Sequence, residues 1–130
     1  MPSLSVIIPV YNEEANIAPL CHDLLVVLEG MGNPFEVILI NDGSQDLSQE
    51  RLRDVAERDG RFKVIRFCRN FGQTAAIMAG IEHADGEILI PMDSDRQNDP
   101  VDIPRLLQKL QEGYDVVSGW RKARKDNPLV

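Results

Sequence analysis

Residues 5–14 read Ser-Val-Ile-Ile-Pro-Val-Tyr-Asn-Glu-Glu, an apolar run that passes directly into a polar segment. The continuous apolar character of residues 5–9 is typical of a β-strand buried on both faces, as strands of parallel sheets are. Apolar side chains then recur at helical spacing over residues 17–31, and two glycines and a proline at 30–34 end that pattern. The sequence therefore opens with a buried strand, a polar loop and an amphipathic helix.

The same alternation of strand and helix continues along the chain. Further strands are predicted at residues 35–40, 62–67, 87–92 and 115–118. Further helices are predicted to start near Asp46, at Gln73 and near Asp102. A capping box of Asp46 and Gln49 would begin the first of these. The alternation predicts one α/β domain of three layers, in which a mostly parallel sheet carries helices on both faces.

Composition and charge argue against several classes of protein. The formal net charge of −7 disfavours a nucleic-acid surface, so no nucleic-acid partner is expected. No apolar run approaches the roughly 18 residues that a membrane span requires. Cys21 and Cys68 lie far apart in sequence, and both are predicted to be small buried residues in a reducing compartment. We therefore expect the chain in the cytoplasm.

Polar segments follow the carboxyl ends of the first four predicted strands, at residues 9–14, 41–44, 69–73 and 93–97. In open parallel sheets, ligands bind beyond these ends, at the point where the strand order reverses. Charged residues in the strand at 62–67 place that strand at an edge. If the strand order is 3-2-1-4-5, residues 11–14 and 93–95 face each other across the reversal.

Asp93-Ser94-Asp95 places two carboxylates two residues apart, so both project to the same side of an extended segment. These carboxylates, with Gln97 as a further oxygen ligand, favour Mg²⁺ or Mn²⁺ over zinc. Such an ion could bridge a diphosphate and stabilise the charge that develops on it as a leaving group. We therefore predict Asp93 and Asp95 as catalytic metal ligands. The alternative is a solvated turn, with Asp99 and its neighbours capping the next helix.

Asp42-Gly43-Ser44 follows the second predicted strand and is a candidate for holding a nucleoside. Asp42 could accept a hydrogen bond from a ribose hydroxyl or a base N–H, and Gly43 would allow close backbone approach. The alternative is a turn that leads into the next helix.

The loop after the first strand offers a second wall for a nucleoside pocket. Pro9 and Tyr11 could line it, with Tyr11 stacking on the base and with Asn12 and Glu13 as hydrogen-bonding groups. The alternative is a capped helix start, in which Asn12 is the N-cap residue and the two glutamates complement the helix dipole. Both interpretations can hold together.

These segments, in this order, resemble glycosyltransferase family 2 of the GT-A fold, and in particular its polyprenyl-phosphate and dolichol-phosphate hexosyltransferase branch. The resemblance spans nearly all of the chain, through residues 5–14, 41–44, 69–73, 93–100 and 117–121. Each segment is weakly specific alone, but five of them in register are a specific signal.

The resemblance implies a donor site. Pro9, Tyr11, Glu13 and Asp42 would hold the nucleoside, Asp93, Asp95 and Gln97 the metal on the diphosphate, and Arg121 would lie near phosphate. The full predicted substrate-binding set is Pro9, Tyr11, Asn12, Glu13, Asp42, Gly43, Ser44, Gly72, Gln73 and Arg121. The family usually has Asp-Ala-Asp-Leu-Gln at the metal motif, whereas Ser94 and Arg96 stand here. Arg96 places a cation beside the metal site, where it either pairs with the diphosphate or weakens metal binding.

The activity that this resemblance implies is transfer of a hexose from a UDP- or GDP-sugar to a polyprenyl or dolichyl phosphate, at the cytoplasmic face of the membrane. The alternatives are a family member with a glycan acceptor and a catalytically silent relative that only binds nucleotide. The family's catalytic domain continues past residue 130. We therefore expect a chain that is truncated at its C-terminus, poor at transfer by itself, and prone to self-association.

Two other classes with strand–helix alternation fit less well. A signalling receiver domain needs an aspartate after strand three and a lysine after strand five, where this chain has Cys68-Arg69-Asn70 and Gly119-Trp120. A sugar nucleotidyltransferase needs a glycine-rich loop after strand one, and Tyr11-Asn12-Glu13-Glu14 is not one.

Overall fold

The structure, a computed structural model, describes residues 1–95 and 99–111. Strands and helices alternate throughout this part of the chain. The strands are β1 (Leu4–Val10), β2 (Phe35–Asn41), β3 (Phe62–Arg66) and β4 (Ile88–Pro91), and the helices are α1 (Glu14–Met31), α2 (Ser48–Arg58), α3 (Gln73–His83) and α4 (Asp102–Gln111). The predicted α/β class is confirmed. The predicted fifth strand, at residues 115–118, lies outside the described residues.

The described sheet has the strand order β3-β2-β1-β4, and all its neighbouring strands are parallel. This order meets, for the first four strands, the condition under which the loops after the first and fourth strands were expected to flank the reversal, and it confirms β3 as an edge strand of the described sheet. The order reverses at β1, which lies between β2 and β4. The loops after β1 and β4 therefore start side by side at the carboxyl edge of the sheet.

Helices cover both faces of the sheet because side chains of a buried strand alternate between its faces. Val6, Ile8 and Val10 of β1 belong to a large core cluster with apolar side chains of α1, α2 and α4. Ile7, between them, packs on the other face with Ala76 of α3. None of the helices in residues 1–95 and 99–111 has the length and apolar character to cross a membrane.

The predicted helix starts are wrong in two places. Asn12 is not the N-cap of α1, because it adopts a left-handed backbone conformation with φ of 52° and the helix begins two residues later. The capping box of Asp46 and Gln49 does not form, since α2 begins at Ser48 and the Gln49 side chain accepts a hydrogen bond from Asn41 at 2.7 Å. At α1, contacts from distant residues replace the local cap, whereas at α2 the Ser48 N–H donates to Asp46, two residues earlier.

The two cysteines have different environments. Cys21 is buried in the core, as predicted, and burial raises the pKa of its thiol to about 12. Cys68 is exposed, so the prediction that it is buried is wrong. It follows the end of edge strand β3, where the chain leaves the sheet and the side chain faces solvent.

A buried carboxylate, Glu36, ties together the amino ends of the strands. One of its oxygens accepts hydrogen bonds from the Ser5 hydroxyl and from the Asp85 backbone N–H, both at 2.6 Å. The other accepts from Lys63 Nζ at 2.8 Å. Burial by itself would raise the pKa of Glu36, but the hydrogen bonds from Lys63, Ser5 and Asp85 outweigh that effect and lower it. Glu36 is therefore a structural anion that joins three strands and the α3–β4 turn.

Replacing Glu36 with glutamine should lower the free energy of unfolding at pH 7 by about 2 kcal/mol, because a buried, charge-assisted network loses its anion. The pKa of Glu36 is lower in the folded state than in the unfolded state. Its stabilising contribution is thus complete above the unfolded-state pKa of about 4.3 and is lost as the pH falls through the folded-state value. Urea unfolding of the parent and the variant, between about pH 3 and about pH 8, measures how the difference in free energy of unfolding depends on pH.

Glu29→Gln is the matched control, since Glu29 pairs with Arg61 at 3.0 Å on an exposed surface. Exposed pairs contribute little, so this variant should unfold nearly as the parent does at every pH. A stability difference for Glu36→Gln that persists unchanged at pH 3 would contradict the assignment.

Candidate functional site

The candidate site lies at the carboxyl edge of the sheet, where the loops after all four described strands meet. β1 and β4 are paired, and the Met92 N–H donates to the Ile7 carbonyl at 2.9 Å just before the aspartate motif. Asp93 therefore starts its loop alongside the end of β1. The starts of the two loops are therefore side by side, and the facing of residues 11–14 and 93–95 stays a prediction.

Asn12 and Ser44, both predicted to bind substrate, hydrogen-bond to each other's loops. The Asn12 N–H donates to Ser44 Oγ at 2.9 Å, and Asn12 Oδ1 accepts from the Gln45 N–H at 2.8 Å. Asparagine tolerates the left-handed conformation that this geometry requires better than most residues do. The two loops are thus fastened to each other, and these polar groups serve the fold.

The first turn of α1 is capped by residues of a different loop. The Glu13 N–H donates to Ser48 Oγ at 2.9 Å, and the Glu14 N–H donates to Asp46 Oδ2 at 3.2 Å. Asp46 also accepts from the Ser48 N–H at 2.9 Å. Burial would raise the pKa of Asp46, but hydrogen bonds from Ser48 and Glu14 lower it overall. Asp46 and Ser48 are not predicted from sequence as neighbours of the site, because their partners are more than 30 residues away.

Asp42 holds the loop after β3. It is only 4% exposed. Its Oδ1 accepts from the Phe71 N–H at 2.7 Å, and its Oδ2 accepts from the Gly72 N–H at 3.0 Å and from Asn70 Nδ2 at 3.2 Å. The structure therefore uses most of the hydrogen-bonding capacity of Asp42 within the protein, and Gly72, another predicted substrate-binding residue, is one of its partners.

Gly43 is required by a close backbone crossing. It has φ of 73°, and a Cβ placed on it would lie 2.3 Å from the carbonyl carbon of Arg69 and 2.4 Å from the amide nitrogen of Asn70. The prediction for Gly43 is that it allows close approach of a ligand. In the structure, the closely approaching group is the backbone of the loop after β3.

Gln73 joins the loop after β3 to the aspartate motif. Its Nε2 donates to Asp93 Oδ1 at 3.3 Å. Asp93 is half-buried, Ser94 is buried and Asp95 is exposed, and residues 94–95 form a turn instead of the extended segment that the prediction assumed. The predicted ligand Gln97 and the neighbouring Arg96 lie outside the described residues, as does Arg121.

The donor atoms fit a hard divalent cation, although they do not complete a site. Within residues 1–95 and 99–111, no three Asp, Glu, His or Cys side chains cluster as metal ligands would. Two carboxylates such as those of Asp93 and Asp95 would need further oxygen ligands, from a diphosphate, water or another part of the chain, to complete the coordination of such an ion. This arrangement suits Mg²⁺ or Mn²⁺ bound together with a phosphate-containing ligand.

Two aromatic rings are exposed at this edge of the sheet. Tyr11, a predicted base-stacking residue, is 44% exposed. Phe71 is 49% exposed, packs edge-to-face against Phe67 with centroids 5.5 Å apart, and has the Arg69 guanidinium 4.7 Å from its ring centroid. Phe71 has no predicted role of its own. Its presence as the aromatic residue of the polar segment 69–73 is the sequence feature that could have indicated a role at the site.

Comparison with known proteins identifies relatives of the whole chain. The family model for glycosyl transferase family 2 matches residues 5–130. An undecaprenyl-phosphate 4-deoxy-4-formamido-L-arabinose transferase of Edwardsiella ictaluri is 43% identical over 125 residues, which are 95% of this chain and 38% of that protein. The transferase of the same name from Pseudomonas aeruginosa is 46% identical, over 95% of this chain and 37% of that protein. The chain thus spans less than two-fifths of the length of these relatives.

Solved structures show the same fold. A mannosyltransferase of Pyrobaculum calidifontis, in complex with GDP-Man and Mn²⁺, is 25% identical with a TM-score of 0.67, over 88% of this chain and 34% of that one. TarS 1–349 of S. aureus, in complex with UDP-GlcNAc, is 25% identical with a TM-score of 0.66, over 85% of this chain and 31% of that one. These likenesses confirm the predicted GT-A fold.

Replacing Gly43 with alanine should lower the free energy of unfolding by about 3 kcal/mol, because the new Cβ collides with backbone and the left-handed conformation disfavours a side chain. Gly30→Ala is the control. A Cβ at Gly30 would meet no atom of the described chain within 4 Å, and alanine raises helix propensity, so that variant should gain up to about 1 kcal/mol. Urea unfolding measures both, and equal stabilities would refute the close crossing.

Proposed function

The chain belongs to glycosyl transferase family 2, and on that premise we propose that it binds the nucleotide-sugar donor of an enzyme that transfers a sugar to a polyprenyl phosphate. The observation that carries the proposal is the parallel pairing of β1 with β4, from whose carboxyl ends the Tyr11–Glu13 loop and the Asp93–Asp95 motif start. This is the point of strand reversal at which parallel sheets bind ligands.

The nucleoside is proposed to lie against the β1–α1 loop. The exposed ring of Tyr11 offers a face for a base, and the half-buried Pro9 and Glu13 flank it in sequence. Asn12, Asp42, Gly43 and Ser44 support this pocket mainly through the loops they connect. The mannosyltransferase and TarS structures hold GDP-Man and UDP-GlcNAc respectively, so either a guanine or a uracil nucleotide remains a candidate donor.

The diphosphate is proposed to lie between α3 and the aspartate motif. Asp93 and Asp95, with Gln97 from outside the described residues, would hold Mg²⁺ or Mn²⁺, and Arg121 would lie near the phosphates. A divalent ion bound there would offset the negative charge of the departing nucleoside diphosphate. Gln73 orients Asp93 through the contact between its Nε2 and Asp93 Oδ1.

The names of the relatives support undecaprenyl phosphate as the acceptor. The second pKa of a phosphate monoester is about 6, so this acceptor is largely ionised at pH 7 and already nucleophilic. Transfer then depends on positioning and on stabilising the leaving group more than on a strong general base. A lipid acceptor favours action at a membrane surface, which is proposed to be the cytoplasmic face. Self-association of the chain stays a prediction.

The sugar is proposed to be a hexose or a formamido-pentose. The resemblance in sequence implied a hexose, and the mannosyltransferase structure contains one. The curated relatives are named for 4-deoxy-4-formamido-L-arabinose, which is a pentose. A donor screen therefore includes both kinds of sugar nucleotide.

Mn²⁺ together with UDP or GDP should raise the melting temperature of the parent chain, because ligand that binds only the folded state stabilises it by about 2.7 kcal/mol at 100 times its Kd. Asp95→Asn should lose the Mn²⁺-dependent part of this shift and keep the fold, since Asp95 is exposed. Thermal unfolding with and without Mn²⁺ measures both effects.

Asp54→Asn is the matched control, because Asp54 is an exposed aspartate of α2 and its replacement changes the net charge equally. It should keep the full Mn²⁺-dependent shift. Equal shifts in Asp95→Asn and the parent would remove Asp95 from the metal site, and a parent that responds to no nucleotide would overturn the proposed function.

A further inference from the structure

We propose that Asp46 and Ser48 are positioning residues for the nucleotide: they fix the β1–α1 loop, which carries Tyr11 and Glu13, in its binding conformation before a ligand arrives. The inference rests on the proposed function, because it assigns a purpose to contacts around the nucleoside pocket. Neither residue is proposed to touch the ligand.

The loop is short, and the segment after β2 holds nearly all of it. Only residues 11–13 separate β1 from α1. The N–H groups of Asn12, Glu13 and Glu14 donate in turn to Ser44 Oγ, Ser48 Oγ and Asp46 Oδ2. On the strand side, the Val10 carbonyl accepts from the Asp42 N–H at 2.8 Å. The backbone on both sides of Tyr11 is therefore set by one external segment, while the Tyr11 ring stays exposed.

Asp46 and Ser48 replace a cap that the loop does not supply. Glu13 is the N-cap residue of α1, but its side chain makes no capping hydrogen bond to the helix, and its Oε1 instead accepts from Asn16 Nδ2 at 2.9 Å. Amides at a helix start need acceptors. Ser48 is fully buried and supplies one of these acceptors, and Asp46 supplies the other together with a negative charge that complements the helix dipole.

The held conformation is one that the loop would not favour by itself. Asn12 has φ of 52°, in the left-handed region that non-glycine residues adopt at an energetic cost. Without the hydrogen bonds to Asp46 and Ser48, the loop is expected to populate other conformations, in which Tyr11 is displaced. If a ligand binds only one of several loop conformations, its apparent affinity is reduced in proportion to the fraction of molecules in that conformation.

The Asp46 carboxylate also limits which groups at the start of α1 are available to a ligand. A phosphate often binds at the N-terminus of a helix, through the same amides and the same dipole. Here a carboxylate already accepts from the Glu14 N–H. At the start of α1, a ligand therefore meets the side chains of residues 11–13 and a carboxylate. These groups favour a nucleoside over a phosphate.

Asp59 provides a matched control at a distance from the site. Asp59 Oδ1 accepts from the N–H of Arg61, two residues later, at 3.0 Å, as Asp46 Oδ1 does from Ser48. Asp46 Oδ2 accepts from the Glu14 N–H, whereas Asp59 Oδ2 accepts from Nη2 of the same Arg61, and the pKa of each aspartate is lowered. Asp59 lies between α2 and β3, however, at the amino ends of the strands.

The test is calorimetric titration of UDP and of GDP, with Mn²⁺, into the parent, Asp46→Asn and Asp59→Asn. In both variants, the asparagine Oδ1 can still accept from the N–H two residues later. In Asp46→Asn, the Nδ2 group then faces the Glu14 N–H, so two donors oppose each other and the hydrogen bond to Glu14 is lost. We expect about tenfold weaker nucleotide binding for Asp46→Asn, from loss of the competent loop conformation, and unchanged binding for Asp59→Asn. Urea unfolding of both variants checks that a difference in stability does not account for the result.

Amide hydrogen exchange without nucleotide is the second readout. The backbone amides of residues 12–14 should exchange faster in Asp46→Asn than in the parent. In Asp59→Asn they should exchange at the same rate as in the parent. If Asp46→Asn does not fold, Ser48→Ala, which removes only the partner of the Glu13 N–H, should still weaken binding and speed exchange at these residues.

The possible failures are distinguishable. If the parent binds and the Asp46 variant binds equally well, or if Asp59→Asn weakens binding to the same extent, positioning by Asp46 is overturned and the proposed function stands. If the parent binds neither nucleotide, the proposed function is overturned and this inference with it.

Discussion

The arrangement of the site depends on one requirement: the backbone amides that emerge at the carboxyl ends of parallel strands need hydrogen-bond acceptors. The segment from Asn41 to Ser48 supplies them to both of its neighbours. On one side, Asp42 holds the loop after β3, and on the other, Ser44, Asp46 and Ser48 hold the loop after β1. Because β2 lies between β3 and β1, its loop is the only one that is adjacent to both within the described sheet.

This requirement separates the predicted site residues into two groups. Asn12, Asp42, Gly43 and Ser44 are occupied mainly with other loops, either by hydrogen bonds or by the close crossing at Gly43. Tyr11, Gln73 and Asp95 are exposed at the same edge, where a ligand can reach them. A motif shared across a family can thus reflect support of the pocket as well as contact with the ligand.

The two ends of the sheet are stabilised in different ways. At the amino ends, Glu36 joins Ser5, Lys63 and the α3–β4 turn in a network around a buried charge. At the carboxyl ends, short polar loops are joined by single hydrogen bonds, and several of their side chains are exposed. Binding residues are commonly found on loops that a rigid scaffold positions, and this molecule fits that division of labour.

The sequence by itself determined the fold class, the start of α3 and the parallel pairing of the four described strands. These features follow from local periodicity and from the topological rules of parallel sheets, which need no knowledge of distant contacts. Only the tertiary structure decided which residue caps α1, what Asp42 binds, which backbone approaches Gly43 and whether Cys68 is buried. The first three are contacts between residues 26 to 35 positions apart, and the last depends on where an edge strand ends. Local propensity favours a cap from within the same turn, whereas folding brings a better acceptor from another loop.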